Sequence, residues 1–103
     1  MSGNFKKMRG LRLPYAVQGR IFFTCLCYDI LTPREKRRIE RLCGEVGGEH
    51  RRALFALLTG RGSVISTAMN SYVSESTLYR LRRDFFNLYA ARYCVPPAGK
   101  RRG

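Results

Sequence analysis

Long apolar runs are missing from this sequence, as are paired CxxC motifs, any glycine-rich phosphate loop behind a strand, and all but one histidine. A spanning helix needs about 20 mainly apolar residues; the longest candidate, residues 21–31, is far shorter and contains Asp29, so no membrane partner is expected. Cys25, Cys27, Cys43 and Cys94 lack the spacing of a zinc site and stand in apolar surroundings, which predicts buried free thiols and neither metal nor disulfide framework. His50 stands alone beside Glu49 and two arginines, as an exposed helix residue does and a catalytic base does not. The few carboxylates are mostly interleaved with arginine, as surface partners along a helix. Gly44, Gly47 and Gly48 read as helix punctuation. The expectation is a protein without catalytic activity, cofactor, metal or small-molecule substrate.

A leader is not expected either. Lys6, Lys7, Arg9 and Arg12 precede an apolar stretch, but Pro14, Gln18 and Arg20 interrupt it and no small-residue cleavage site follows. The expected location is the cytoplasm.

What the chain has in excess is positive charge. Twenty Lys and Arg against seven Asp and Glu leave a formal net charge of +13 on 103 residues. Such a surface seeks a polyanion, because neutralising phosphates releases their counterions whatever sequence is bound. DNA, RNA and anionic membrane all qualify on charge alone. At 45% apolar residues, with six Phe and six Tyr, the chain can still bury a real core, and its length suits one domain. An all-α, compact bundle of about five helices is predicted: a basic N-terminal arm over residues 1–12, a single helical domain over 13–95, and a basic disordered tail over 96–103.

Pro14 suits a first helical position, and Val17, Ile21, Cys25 and Tyr28 keep helical spacing after it. A β-segment over residues 21–27 is the alternative. Thr32-Pro33-Arg34-Glu35 reads as a capping box with proline at the first turn. The helix it opens carries Ile39, Leu42, Cys43 and Val46 on one face and Arg34, Lys36, Arg37, Arg38 and Arg41 around the rest. A third helix over residues 49–58 presents Leu54, Leu57 and Leu58 and ends at Thr59-Gly60. A short helix over 63–70, capped by Ser63, precedes a long one capped by Ser74 and reaching Tyr93. On the latter, Leu78, Leu81, Phe85 and Leu88 form the core stripe, and Phe86, Tyr89 and Tyr93 form an adjacent one, to be covered by N-terminal helices or a second subunit.

Residues 63–86 have the layout of a helix-turn-helix. The short helix offers a small residue, Ala68, where the second helix crosses; Val73 plugs the angle; Ser74 caps the second helix; Leu78 and Leu81 anchor it. Ala68, followed five residues on by Val73-Ser74 and then by Ser76-Thr77-Leu78-Tyr79-Arg80, resembles the helix-turn-helix of resolvase, transposase and sigma-region-4-like proteins, common in bacteria, phages and mobile elements. The resemblance covers about a fifth of the chain. Two positions depart from it: Thr67 precedes the alanine where an aliphatic residue is usual, and Tyr72 occupies the turn where glycine is usual. A positive φ strains tyrosine, so a rearranged or lengthened turn is expected.

The resemblance implies double-stranded DNA as partner and a role in transcription or mobile-element regulation. Helical projection places Glu75, Ser76, Tyr79, Arg80 and Arg83 outward near the start of the last helix, as candidate DNA contacts. Arg61, Ser63, Ser74, Arg37, Arg38 and Arg41 are further candidates for phosphate contacts. The arginines around residues 34–41 read first as a solvated face and second as a backbone clamp beside the recognition helix. A homodimer would suit a motif that buries little surface alone. The competing readings are a helical protein-interaction module, motivated by apolar surplus on residues 14–28 and on the last helix, and an RNA binder, although no aromatic-studded sheet or GxxG loop is apparent.

Overall fold

The computed structural model describes residues 12–94, which form five α-helices and two short 3₁₀ turns, with no strand among the described residues. Helix α1 spans Tyr15–Leu26, α2 Pro33–Gly47, α3 Arg51–Leu58, α4 Val64–Ser71 and α5 Glu75–Tyr93. The 3₁₀ turns cover Tyr28–Ile30 and Gly48–His50. The all-α expectation holds. The basic arm and the tail lie outside the described residues, apart from Arg12.

The first apolar segment is helix throughout, not strand. Its buried stripe is Gln18, Ile21 and Cys25, and Gln18, which interrupts the apolar pattern in sequence, is fully buried with its amide donating to the Leu13 carbonyl at 2.8 Å. A buried amide with a partner escapes most of the desolvation cost. Pro14 sits at the N-cap rather than inside the helix: its ψ of 148° is extended, and its carbonyl accepts the first helical bond, from the Gln18 amide.

Helix α2 opens as its sequence dictates. The Thr32 hydroxyl accepts from the Glu35 amide and the Glu35 carboxylate accepts from the Thr32 amide, each at 3.2 Å. Helix α3 starts two residues later than the pattern predicts. Gly48 takes φ +55° and the chain makes a 3₁₀ turn through His50 before α-geometry begins at Arg51. At the other end Gly60 takes φ +77°, and a Cβ there would lie 2.9 Å from Leu26 Cδ2. The conformation favours glycine, and a Cβ would in addition require the exposed Leu26 side chain to shift.

Ile21 and Cys25 of α1, Ile39, Leu42 and Cys43 of α2, Leu54 and Leu58 of α3, and Leu81, Phe85, Phe86, Tyr89 and Ala90 of α5 make the main core. A smaller cluster, Ala53, Val73 and Leu78 with Leu57, Val64 and Ala68 packed on it, attaches α4 to α3 and α5. The aromatic stripe of α5 that motivated a second subunit is thus spent on the chain's own interior: Phe86 is 1% exposed and Tyr89 8%. Burial of the thiols is only half as predicted. Cys25 and Cys43 are buried, and desolvation first of all pushes each thiol up to about 12, whereas Cys27 is exposed and Cys94 half-buried. Cys27 caps the end of α1, where the chain turns out of the core stripe.

Three carboxylates, Asp29, Glu40 and Glu45, make contacts between elements rather than along one helix. Glu45 of α2 takes Arg92 of α5 in a two-pronged contact at 2.9 and 2.7 Å. Glu40 accepts from the Tyr28 hydroxyl, which pushes that phenol up to about 12. The Arg92 contact lowers the Glu45 pKa below its ordinary value. Its contribution to stability is therefore present above the unfolded carboxyl pKa and fades as pH falls through the folded one.

The turn between α4 and α5 keeps its short form. Tyr72 adopts φ +56° and ψ +37°, the left-handed conformation that glycine usually supplies at a helix C-terminus. Its amide still bonds the Ala68 carbonyl and its side chain is 96% exposed. The strain expected from the sequence is real, but it is carried by the residue instead of being relieved by a longer loop. Left-handed geometry costs a non-glycine residue about 1–2 kcal/mol, partly offset by the greater freedom glycine loses on folding. Tyr72→Gly is expected to stabilise the fold by about 0.5–1 kcal/mol, a rise of a few degrees in Tm for a domain of this size. A lowered melting temperature would show that the tyrosine makes contacts the structure does not contain.

Candidate nucleic-acid interface

Helix α5 changes its surroundings along its length. At about 100° per residue, Glu75, Ser76, Tyr79, Arg80 and Arg83 share an arc of about 140° that excludes Leu78, Leu81 and Phe85. Glu75, Ser76, Tyr79 and Arg80 are exposed and Arg83 is half-exposed, while the three apolar side chains are buried. Eleven residues on, Phe86 returns to within about 20° of the azimuth of Glu75, yet it is buried. The first two turns are therefore covered on one side only, and the later turns on two. The first turns of α5 thus rest on α3 and α4 through Leu78 and leave the opposite face uncovered.

Locally that end is built by caps. The Ser74 hydroxyl accepts from the Thr77 amide at 3.1 Å and donates to Thr77 Oγ1 at 2.8 Å. At the start of α4, Ser63 and Ser66 satisfy one another's amides reciprocally, at 3.1 and 3.0 Å. Sequence reasoning missed that second box because its partner is Ser66 instead of Glu or Gln. Both Ser63 and Ser74 were candidates for phosphate contacts; the structure commits their hydroxyls to the helix ends.

Arg80 and Arg83 make no ion pair with any described residue. Carboxylate–guanidinium pairs among the described residues are confined to Asp29 with Arg61 and Glu45 with Arg92. Arg61, by contrast, has partners within the fold: its Nη2 lies 3.1 Å from Asp29 and its guanidinium 5.3 Å from the Phe55 ring centroid. It lines a cleft of about 530 Å³ with Tyr28, Glu40, Cys43, Arg51, Arg52 and Phe55, where it ties the segment after α3 to the 3₁₀ turn after α1. Residues adjacent in sequence to Ser63 need not share its surface.

Arg82 was missed. Its projection lies next to the core stripe, and its side chain is half-buried with Nε enclosed and without a hydrogen-bond partner among the described residues. Desolvation lowers its pKa from the ordinary value. Its guanidinium lies 5.3 Å from the Tyr79 ring centroid, so it steadies that tyrosine at one edge of the exposed face. The signal was available as a Tyr–Arg pair three residues apart on a helix.

Arg37, Arg38 and Arg41 do not flank the start of α5. With Arg34 they line a cleft against Tyr93, in the last turn of α5, and Arg38 lies 4.6 Å over the Tyr93 ring. Thirteen residues of helix separate Arg80 from Tyr93, about 20 Å along the axis. The clamp expected beside the start of α5 does not form: these arginines gather at the opposite end of that helix.

Two further features bound the chemistry. Among the described residues there is no group of three or more His, Cys, Asp or Glu that could hold a metal ion, and no helix long and apolar enough to cross a membrane. Ile65 and Met69 of α4, and Tyr72 at its C-cap, are 61%, 72% and 96% exposed.

Fold and site together define an all-α protein with an arginine-rich surface that its own carboxylates leave largely unneutralised. Compared with known protein families, curated proteins and solved structures, the chain matches none.

Proposed function

We propose that this protein binds duplex DNA, with α4, the turn at Tyr72-Val73 and α5 acting as a helix-turn-helix. Its role in that reading is transcription regulation, or accessory work for a bacterial or mobile-element system, in the cytoplasm and without catalysis of its own. The observation that carries it is the uncovered N-terminal face of α5, with Arg80 and Arg83 free of carboxylate partners. An arginine there offers a planar fork to guanine edges or phosphates, and Ser76 and Tyr79 stand beside it for a phosphate or a thymine methyl. Glu75 lies at the positive end of the helix, where a carboxylate is stabilised with or without a base contact.

Selection from random duplexes tests the reading. Enrichment of one sequence is expected, with binding that weakens steeply as salt rises, and a matched structured RNA should compete poorly. Recovery of no preferred duplex, or stronger binding to the RNA, would remove it.

One observation favours a second reading, a protein-interaction module or a homodimer. The group of Ile65, Met69 and Tyr72 is apolar and uncovered, and such patches mark contact surfaces. It replaces the last helix as the motive for that reading. The same selection discriminates: a palindromic site points to paired copies, and sedimentation without DNA reports whether α4 pairs them beforehand.

A further inference from the structure

The cationic stripe on α2 stands apart from the first turns of α5 in position, in partners and in composition. Arg34, Arg37, Arg38 and Arg41 fall within an arc of about 100° and extend about 10 Å along the helix. They line, with Tyr93, a cleft of about 210 Å³ whose walls include no carboxylate among the described residues. The nearest acids are engaged elsewhere: Glu45 holds Arg92 through both oxygens, and Glu35 closes the capping box of its own helix. Arg34, Arg37 and Arg41 are exposed, and only Arg38 is partly covered, over Tyr93.

Four like charges on two turns of one helix repel each other, and like-charged neighbours three and four residues apart destabilise an isolated helix. Within the fold, Glu45 near Arg41 and the Tyr93 ring under Arg38 offset this only in part. An external polyanion would do so more fully. The cluster is all arginine, whose rigid fork pairs bidentately with phosphate. A stripe about 10 Å long spans about three phosphates of one strand, which presents one negative charge per about 3.4 Å of duplex axis. The chain's own C-terminal segment is a poor occupant, because its charges, Lys100, Arg101 and Arg102, have the same sign.

This patch cannot share the duplex read by α5 in the usual manner. Recognition helices meet base edges with their N-terminal residues, and Tyr93 lies about 20 Å down the axis from Arg80 and about 140° around it. The geometry points to a second phosphate-backbone site formed by the α2 arginines, so that one molecule holds two duplex segments, one at each end of α5. The assignment of the second segment rests on the reading of α5 as the first site; the stripe itself does not.

A bridging assay tests it. Full-length protein is added to a bead-bound duplex, and retention of a second, fluorescent duplex is measured, with binding to a single free duplex followed in parallel. Wild type should retain the second duplex. Arg37→Gln with Arg41→Gln, at two exposed positions without a hydrogen bond or ion pair among the described residues, should cut retention by about tenfold while single-duplex affinity falls much less. Melting curves for the variant should match wild type. The inference is overturned if wild type does not bridge, or if bridging survives the double variant, as it would where a dimer presents two α5 faces. It is also overturned if single-duplex affinity falls in step with retention, which places both patches on one duplex. Binding of polyglutamate to wild type, abolished in the variant, with duplex bridging unchanged, would assign the stripe to an acidic protein instead. Failure of the α5 reading shows separately: Arg80→Ala with Arg83→Ala would then leave preference for the selected duplex intact.

Discussion

Replacing Arg80 and Arg83 together by alanine is expected to weaken binding to a selected duplex by roughly 30-fold or more, since an arginine that reads a base contributes about 1–3 kcal/mol. Both side chains lack ion-pair partners and neither belongs to a core cluster, so thermal stability should move by no more than about 0.5 kcal/mol. The two outcomes together separate a binding role from a folding role. If the arginines touch phosphates, all duplexes weaken alike and the slope of affinity against salt falls by about one per arginine removed. If they read bases, preference for the selected sequence relaxes as well. A titration at two salt concentrations against selected and scrambled duplexes distinguishes these, and unchanged affinity for both would end the assignment of α5 as the recognition helix.

Phe85→Ala should have the largest effect on the fold, a loss of about 3–5 kcal/mol by deletion of a fully enclosed ring. Phe85 is 0% exposed, with ring centroids 6.4 Å from Phe86 and 5.9 Å from Tyr89. It sits where α5 passes from the half that is covered on one side to the half that is covered on two. Domains of this kind hold together by about 5–15 kcal/mol in all, so the variant should unfold well below the wild-type urea midpoint. DNA binding should fail with it, because the exposed turns of α5 are set by the main core through Phe85 and Leu81 as well as by the smaller cluster at Leu78. A destabilisation under about 1 kcal/mol would mean that the core closes without this ring.

The helix boundaries were legible because their signals are local. The box at Thr32 and Glu35, the cap at Ser74 and the stop at Gly60 act through bonds between residues close in sequence, or through one residue's own backbone freedom. The three-to-four spacing of Leu78, Leu81 and Phe85 likewise foretold which face of α5 is buried. Tyr72 was legible in part. That a left-handed residue is needed there follows from the turn, but whether the chain strains or lengthens depends on how firmly Val73 and Leu78 are anchored on Ala53, which belongs to α3.

The sites were less legible, since each depends on what another helix places opposite. Arg61 looked like a phosphate ligand beside Ser63 until Asp29, thirty-two residues earlier, was brought to it. Arg37, Arg38 and Arg41 looked like a clamp at the start of α5 until α2 packed with Tyr93 at their side. Arg82 looked neutral to the argument until its stem was enclosed and its guanidinium set over Tyr79.

By itself, then, the order of residues determined that the fold is of the all-α class, where most helices begin and end, that the chain carries a large positive excess, and which stripe of α5 turns inward. Only tertiary structure decided which arginines are neutralised, which thiols are enclosed, and that the cations form separate patches at opposite ends of one helix. The physical reason is range. Caps, turns and amphipathic periods are set by neighbours within a turn of helix, whereas the pairing of a charge depends on side chains that folding alone brings within a few ångströms.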